Sequence, residues 1–238
     1  MKTVLITGAS RGIGRAAALT FAAHGYETIL TCSSSVESLL AVKKEIDDIF
    51  HTPCRALVCN ASNYQETEKM FAGISTLDVL VNNAGIAYFG LLQDMSLQDW
   101  KRVIDANLSS VFYTCKFAIP LMLAKGSGRI INVSSIWGNA GAAMETAYSA
   151  SKGGVNALTK ALAKELAPSN IQVNAISFGV IDTDMNRCLS AEDMESLRND
   201  IPADRLGSPQ EAGEMIWQTA NAPSYMTGQI ITMSGGYE

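Results

Sequence analysis

Thr3-Val4-Leu5-Ile6-Thr7-Gly8-Ala9-Ser10-Arg11-Gly12-Ile13-Gly14 is the stretch from which the rest of the chain is read. A short apolar, β-branched run ends in three glycines, and Ala16, Ala17, Leu19 and Ala23 follow at helical spacing. A strand, a tight turn and a helix in that order direct backbone N–H groups and a helix N-terminus towards an anion. Gly8 permits a sharp exit from the strand, Gly12 a close backbone approach to a pyrophosphate, and Gly14 close packing of helix on strand. The spacing differs from G-x-G-x-x-G, and a glycine-rich turn that binds nothing stands as the plain alternative.

Outward from this turn, similar apolar runs recur at Thr28–Thr31, Ala56–Cys59, Val79–Val81, Arg129–Val133, Ile171–Ile176 and Gln229–Met233. Helical segments separate them, which predicts an α/β fold: a doubly wound parallel sheet of about seven strands with helices on both faces. After Tyr148, Val155, Leu158, Leu162 and Leu166 keep a helical period until Pro168 closes the segment. The Met- and charge-rich stretch 184–205 breaks the rhythm and reads as a substrate lid, with a new helix starting near Ser208-Pro209. One domain, 1–238, is expected.

Bulk properties narrow the function. Hydrophobic residues make up 47% and charged residues 17%, with no apolar run long enough to span a bilayer and no secretory leader, so a soluble cytoplasmic protein is expected. A net charge of −5 without a Lys/Arg cluster argues against nucleic acid as a partner. Cys32, Cys54, Cys59, Cys115 and Cys188 form no C-x-x-C pair, which predicts reduced thiols and no metal site. The two histidines, His24 and His51, neighbour no nucleophile motif, so hydrolase and metalloenzyme readings lack parts.

The second strand ends in Thr31-Cys32-Ser33-Ser34, with no carboxylate to accept a ribose 2′-hydroxyl or repel a 2′-phosphate. With Arg11 able to pair with a phosphate, NADP(H) is favoured over NAD(H), against the alternative that Arg11 is a solvated surface cation. Tyr148 and Lys152, four apart, share a helix face, and a cation there would stabilise a phenolate that otherwise forms only near pH ~10. Ser134 and Ser135 follow a strand at the carboxyl edge, where such sheets bind ligands, and one of these hydroxyls can hold a carbonyl oxygen. Asn82-Asn83-Ala84-Gly85 follow another strand, while Asn107 sits in the helical stretch Trp100–Ser110 as either a functional amide or a structural cap.

Together these residues resemble the short-chain dehydrogenase/reductase family over essentially the whole chain, down to Tyr225-Met226-Thr227-Gly228-Gln229 and Gly235-Gly236. The resemblance implies that Tyr148 protonates a carbonyl, Ser135 orients it, Lys152 binds nicotinamide ribose and Asn107 holds a water in a proton relay. It implies cofactor contacts from Gly8, Ser10, Arg11, Gly12, Ile13 and Gly14, from Ser33 and Asn60, from Asn83, Ala84 and Gly85, and from Ile181 and Thr183. Within the family the chain is most similar to the 3-oxoacyl-[acyl-carrier-protein] reductases, which implies a small-molecule or carrier-bound acyl substrate and a homotetramer.

Several positions depart from that pattern. Phe178-Gly179 replaces the usual Pro-Gly and is expected to put a bulky, more mobile residue by the nicotinamide. Ala143-Met144-Glu145-Thr146-Ala147 is expected to line the substrate mouth. Trp137 reads as a pocket wall or as core, with the habit of large aromatics favouring core. Gly126 and Ser169 stand where carrier-docking relatives carry basic residues, with Lys125 nearby. Met185 and Met194 are adaptable enough to meet an acyl chain or to cover the cofactor. Reduction of a 3-oxoacyl thioester in fatty-acid or related biosynthesis is the leading reading; reduction of another small ketone or sugar, and a silent NADP(H)-binding module, are the competitors.

Overall fold

The computed structural model describes residues 1–186 and 190–237. Seven parallel strands form one sheet: β1 (Thr3–Ile6), β2 (Glu27–Cys32), β3 (Cys54–Val58), β4 (Val79–Asn82), β5 (Gly128–Ser135), β6 (Ile171–Phe178) and β7 (Ile230–Met233). Their order is β3-β2-β1-β4-β5-β6-β7, so the chain reverses direction across the sheet between β1 and β4. The doubly wound parallel fold expected from the sequence is present, and each of the seven predicted runs falls within or overlaps a strand.

Helices α1 (Gly12–Ala23), α2 (Val36–Ile49), α3 (Tyr64–Phe71), α4 (Leu97–Ile104), α5 (Ser110–Lys125) and α6 (Thr146–Leu166) follow in chain order, then α7 (Ala191–Asp200) and α8 (Pro209–Ala220). Alternation along the strands divides the core. Val4 and Ile6 face one layer with Phe21, Ile46 and Ile216, whereas Leu5 points to the other with Met122, Val155 and Phe71. Burial on both faces explains why the strands read as continuous apolar runs. Capping boxes start α7 at Ser190 and α8 at Ser208, the latter with Pro209 in its first turn, which is the helix start expected there.

The helical stretch expected around Asn107 is interrupted by one π-turn, Asp105–Ser109, between α4 and α5. Such turns insert an extra residue and aim its side chain out of the helical register. Phe178 corrects another expectation: it is 2% exposed and its strand position pairs with Ser135 and Met233, so it is packed rather than mobile. The positions considered for carrier docking lie at the wrong edge. Gly126 and Ser169 precede the amino ends of β5 and β6, and Lys125 pairs with Asp78 at the start of β4. Cys32, Cys54, Cys59 and Cys115 are buried free thiols; Cys188 lies outside the described residues. Among the described residues no helix is long and apolar enough to cross a membrane.

Candidate active site

Two cavities meet along the carboxyl edge of the sheet, where the loops after β1 and β4 diverge. One, of about 600 Å³, extends from the glycine turn to the ends of β2 and β3. The other, of about 670 Å³, reaches Ser135, Tyr148 and Lys152. Ile13, Asn83, Gly85, Thr183 and Met185 border both, so the two read as one elongated cleft.

The glycine turn has the tightness its sequence implied. Gly8 adopts φ +65°, and a Cβ at Gly14 would stand 2.2 Å from the Gly8 carbonyl oxygen and 2.5 Å from Asn83 Nδ2. Arg11 is the N-cap of α1 but makes no side-chain cap, which leaves first-turn amides directed at the cleft. Ser10, Arg11, Gly12 and Ile13 line the cavity there. Asn83 plays a part its motif did not reveal: its amide donates to the carbonyls of Thr7 (3.0 Å) and Gly8 (2.9 Å). The Thr7 hydroxyl accepts from the backbone of Asn83 and Ala84, so the β1 and β4 loops are laced together.

At the far end Ser33 and Asn60 line the same cavity as Arg11, with no carboxylate on the β2 terminus. The Asn60 side chain accepts from Ser62, which fixes the turn after β3. Arg11 Nε lies 3.9 Å from Asp184, a loose contact for a side chain 65% exposed. Ile181 is buried and bridges to Gly207, while Thr183 lies 3.2 Å from where a Gly12 Cβ would be. The segment after β6 therefore closes over the glycine turn. These residues fit a dinucleotide: uncapped helix amides, a turn with no room for a Cβ and a long cleft beside them.

Ser135 from β5 and Tyr148 from α6 line the same cavity, close enough for the Ser135 hydroxyl to act on the phenol. Ser134 points away and donates to Asn156 Oδ1 at 2.6 Å. Lys152, 4% exposed, donates to the Val133 carbonyl (2.9 Å), with its nitrogen 5.6 Å from the centroid of the Tyr148 ring. Burial pushes the Tyr148 phenol up to about 12, opposed by the Ser135 hydrogen bond and reinforced by the charge of Glu145. Burial also pushes Lys152 down to about 8. Of the neighbours that set this shift only Ser135 lowers the phenol, so the cationic depression expected from Lys152 does not enter, and desolvation keeps the phenol protonated across the neutral range.

Asn107 is 1% exposed and occupied. Its Oδ1 accepts from Ile86 N (2.8 Å), and its Nδ2 donates to Ile86 O (2.9 Å) and Ser151 Oγ (3.0 Å). Both amide protons are taken, so a lone pair on Oδ1 is what the side chain has left for a water. Ser151, in turn bonded to the Tyr148 carbonyl, went unmarked in the sequence. So did a buried relay in which Thr114 donates to Asn82, Asn82 to Asn132 and Asn132 to Thr159. Asparagines inside otherwise apolar strands were the available signal.

The substrate side of the cleft is lined by Phe89, Trp137, Phe178, Val180, Met185 and Leu197, with Glu145 and Asp193 among them. Trp137 is a half-buried wall residue, edge-on to Tyr237, and not core. From α7 Asp193 and Leu197 line the cavity, where Met194 had been expected. Met144 has φ +62°, a left-handed conformation that costs a non-glycine residue about 1–2 kcal/mol, and its carbonyl accepts from Gly90 N at 2.8 Å. Burial pushes the Glu145 carboxyl up to about 6.

The family model described as short chain dehydrogenase matches residues 2–194. The 3-oxoacyl-[acyl-carrier-protein] reductase FabG of Aquifex aeolicus is 39% identical across 99% of this chain and 96% of its own. Its counterpart in Thermotoga maritima is 40% identical across 99% and 97%, and the uncharacterized oxidoreductase YmfI of Bacillus subtilis is 35% identical across 99% and 98%. Among solved structures, YwfH, an NADPH dependent reductase involved in bacilysin biosynthesis, aligns with a TM-score of 0.93 at 25% identity over 100% of this chain and 98% of that one.

Proposed function

The chain belongs to the short chain dehydrogenase family, an oxidoreductase built for C=O and CH–OH groups with a nicotinamide cofactor, and from that premise we propose that it reduces 3-oxoacyl thioesters with NADPH. The observation that carries the proposal is that Ser135, Tyr148 and Lys152 line one wall of a cleft that continues to the glycine turn. In this reading 1–238 is one domain, with the segment 184–205 as its lid, of which 187–189 lie outside the described residues.

Bound NADPH supplies the hydride that reaches the carbonyl carbon. The chain supplies the rest. Tyr148, protonated at neutral pH, donates its phenolic proton to the carbonyl oxygen, and Ser135 holds that oxygen by a hydrogen bond, so ketone, hydride and proton give the secondary alcohol. Lys152, tethered at Val133 O, offers its remaining donors to the nicotinamide ribose. Asn107 holds Ile86 and Ser151, and through them the floor of the site. Gly8, Ser10, Arg11, Gly12, Ile13 and Gly14 would receive the pyrophosphate, Ile181 and Thr183 the carboxamide and nearby phosphate, Asn60 the adenine, and Asn83, Ala84 and Gly85 the adenosine and ribose. Ser33 and Arg11 face the 2′-phosphate, which competes easily with the loose Asp184 contact.

The names of the relatives support an acyl substrate presented on carrier protein; we place the reaction in fatty-acid or related biosynthesis in the cytoplasm. A homotetramer is what the family resemblance implies, and Leu97, Trp100 and Phe112 on α4 and α5 are exposed apolar side chains that such an assembly could cover. Reduction of a smaller polar ketone is the second reading, favoured by the Glu145 carboxyl in the cleft. Replacing Tyr148 by Phe keeps the ring and removes the proton. NADPH oxidation with acetoacetyl thioesters is expected to fall at least ~10²-fold with cofactor still bound, and unchanged turnover refutes the assignment.

A further inference from the structure

The substrate mouth carries a carboxyl group that the reaction just described does not use. Glu145 is the N-cap of α6, yet its side chain makes no cap bond to the helix. Among the described residues no hydrogen bond or ion pair reaches its carboxylate, and burial alone sets its titration. It lines the cleft that holds Tyr148, three residues further along the helix. Its charge acts on the Tyr148 phenol, which places the carboxylate beside the position of the reacting carbonyl. The residue before it, Met144, is held at φ +62° by the bond from Gly90, a strained backbone that orients the start of α6. In a cleft walled by Phe89, Trp137 and Leu197, a carboxylate with no protein partner is free to accept from a donor on the substrate.

We propose that Glu145 is a specificity-determining residue that accepts a hydrogen bond from an N–H donor carried by the substrate beyond its ketone. The inference rests on the reductase reading above and narrows it. A donor has two sources, the amide N–H of a pantetheine-like thioester arm or an ammonium on the substrate itself. A donor-free ketone displaces water from the half-buried carboxylate without replacing its hydrogen bonds, so the site discriminates by penalising the wrong substrate as well as by rewarding the right one.

The test compares three 3-oxobutanoyl thioesters with the intact protein and NADPH at pH 7.5: the N-acetylcysteamine ester, its N-methylated amide with no N–H, and the 2-(dimethylammonio)ethyl ester. The wild type is expected to favour an N–H substrate over the N-methylated one by at least about tenfold in kcat/KM, the least that a hydrogen bond to a charged acceptor contributes. Which of the two is favoured identifies the source. Glu145→Leu is expected to bring the ratio close to one. Glu145→Gln, nearly isosteric, is expected to abolish the ammonium preference and weaken the amide one.

Lowering the pH through about 6, where the carboxylate gains its proton, is expected to shrink the wild-type ratio, with Tyr148, Lys152 and Asp193 the other titratable groups on this cavity. Calorimetric affinities of the corresponding 3-hydroxybutanoyl esters carry the same comparison without turnover. A ratio that both variants leave unchanged overturns the inference while the reductase reading stands. No turnover of any thioester or ketone overturns the reading, and a calorimetric ratio near one then removes the inference as well.

Discussion

Replacing Gly14 by Ala perturbs the cofactor cradle at its tightest point. The new Cβ would stand 2.2 Å from the Gly8 carbonyl oxygen, and real Cβ atoms essentially never approach closer than 3.0 Å, so the turn must move by at least 0.8 Å. That shift breaks the two bonds from the Asn83 amide to Thr7 and Gly8, each contributing about 1 kcal/mol. Forcing a methyl into a packed site adds about 1–3 kcal/mol, for a total of about 3–5 kcal/mol. At this chain length the melting temperature should drop by roughly 6–20 °C. NADPH affinity, read by nucleotide fluorescence, should weaken at least ~10-fold because the phosphate-facing amides move with the turn. Gly153→Ala is the control: it sits inside α6 with its nearest neighbour at 3.4 Å, and the gain in helix propensity of about 0.5–1 kcal/mol should leave stability equal or higher. A Gly14→Ala protein that melts within ~2 °C of wild type with unchanged NADPH affinity would refute the cradle argument.

Ser33→Asp places a carboxylate at the end of β2, where it accepts from ribose hydroxyls and repels a 2′-phosphate. The NADPH/NADH ratio of kcat/KM should fall at least ~10-fold, and a ratio that does not move removes the phosphate-side assignment. The Lys152 ammonium, lowered by burial to about 8, should give kcat/KM for NADPH a descending limb above that pH. Lys152→Arg, which stays cationic, should flatten the limb, and a flat wild-type profile from pH 7 to 9.5 would exclude the ammonium from cofactor binding. Glu145→Gln should raise stability. The folded carboxyl is raised to about 6, so below the unfolded value both states hold the proton. Between the two values stability falls as pH rises, and above about 6 the whole cost is present. Discounted for solvent screening this is about 1 kcal/mol, a gain of roughly 2–4 °C at pH 7.5 that should vanish by pH 4. Equal melting of variant and wild type at pH 7.5 refutes the desolvated carboxylate.

The alternation of apolar runs and helical segments was enough to predict a doubly wound parallel sheet, because period and glycine placement are properties of neighbours in the chain. The glycine turn was legible for the same reason: Gly8 must reach φ +65° whatever lies around it. The pairing of Tyr148 with Lys152 is local too, one helical turn on a single face. Family resemblance added Ser135 and Asn107, which periodicity alone could not bring to that face.

Tertiary structure decided everything that depends on residues distant in the chain. Ser135 rather than Ser134 faces the phenol because the strand pleat turns alternate side chains to opposite faces, and Ser134 is taken by Asn156. Asn107 is spent on Ile86 and on Ser151, 44 residues away. Trp137 became a wall and Phe178 a packed strand residue once β5, β6 and β7 were side by side. The direction of both central titrations came from burial, and no reading of Tyr148 and Lys152 four residues apart contains how deeply they are buried. Local spacing determines which groups are present and their period; desolvation and partnership are sums over the whole packed chain, and only the fold supplies them.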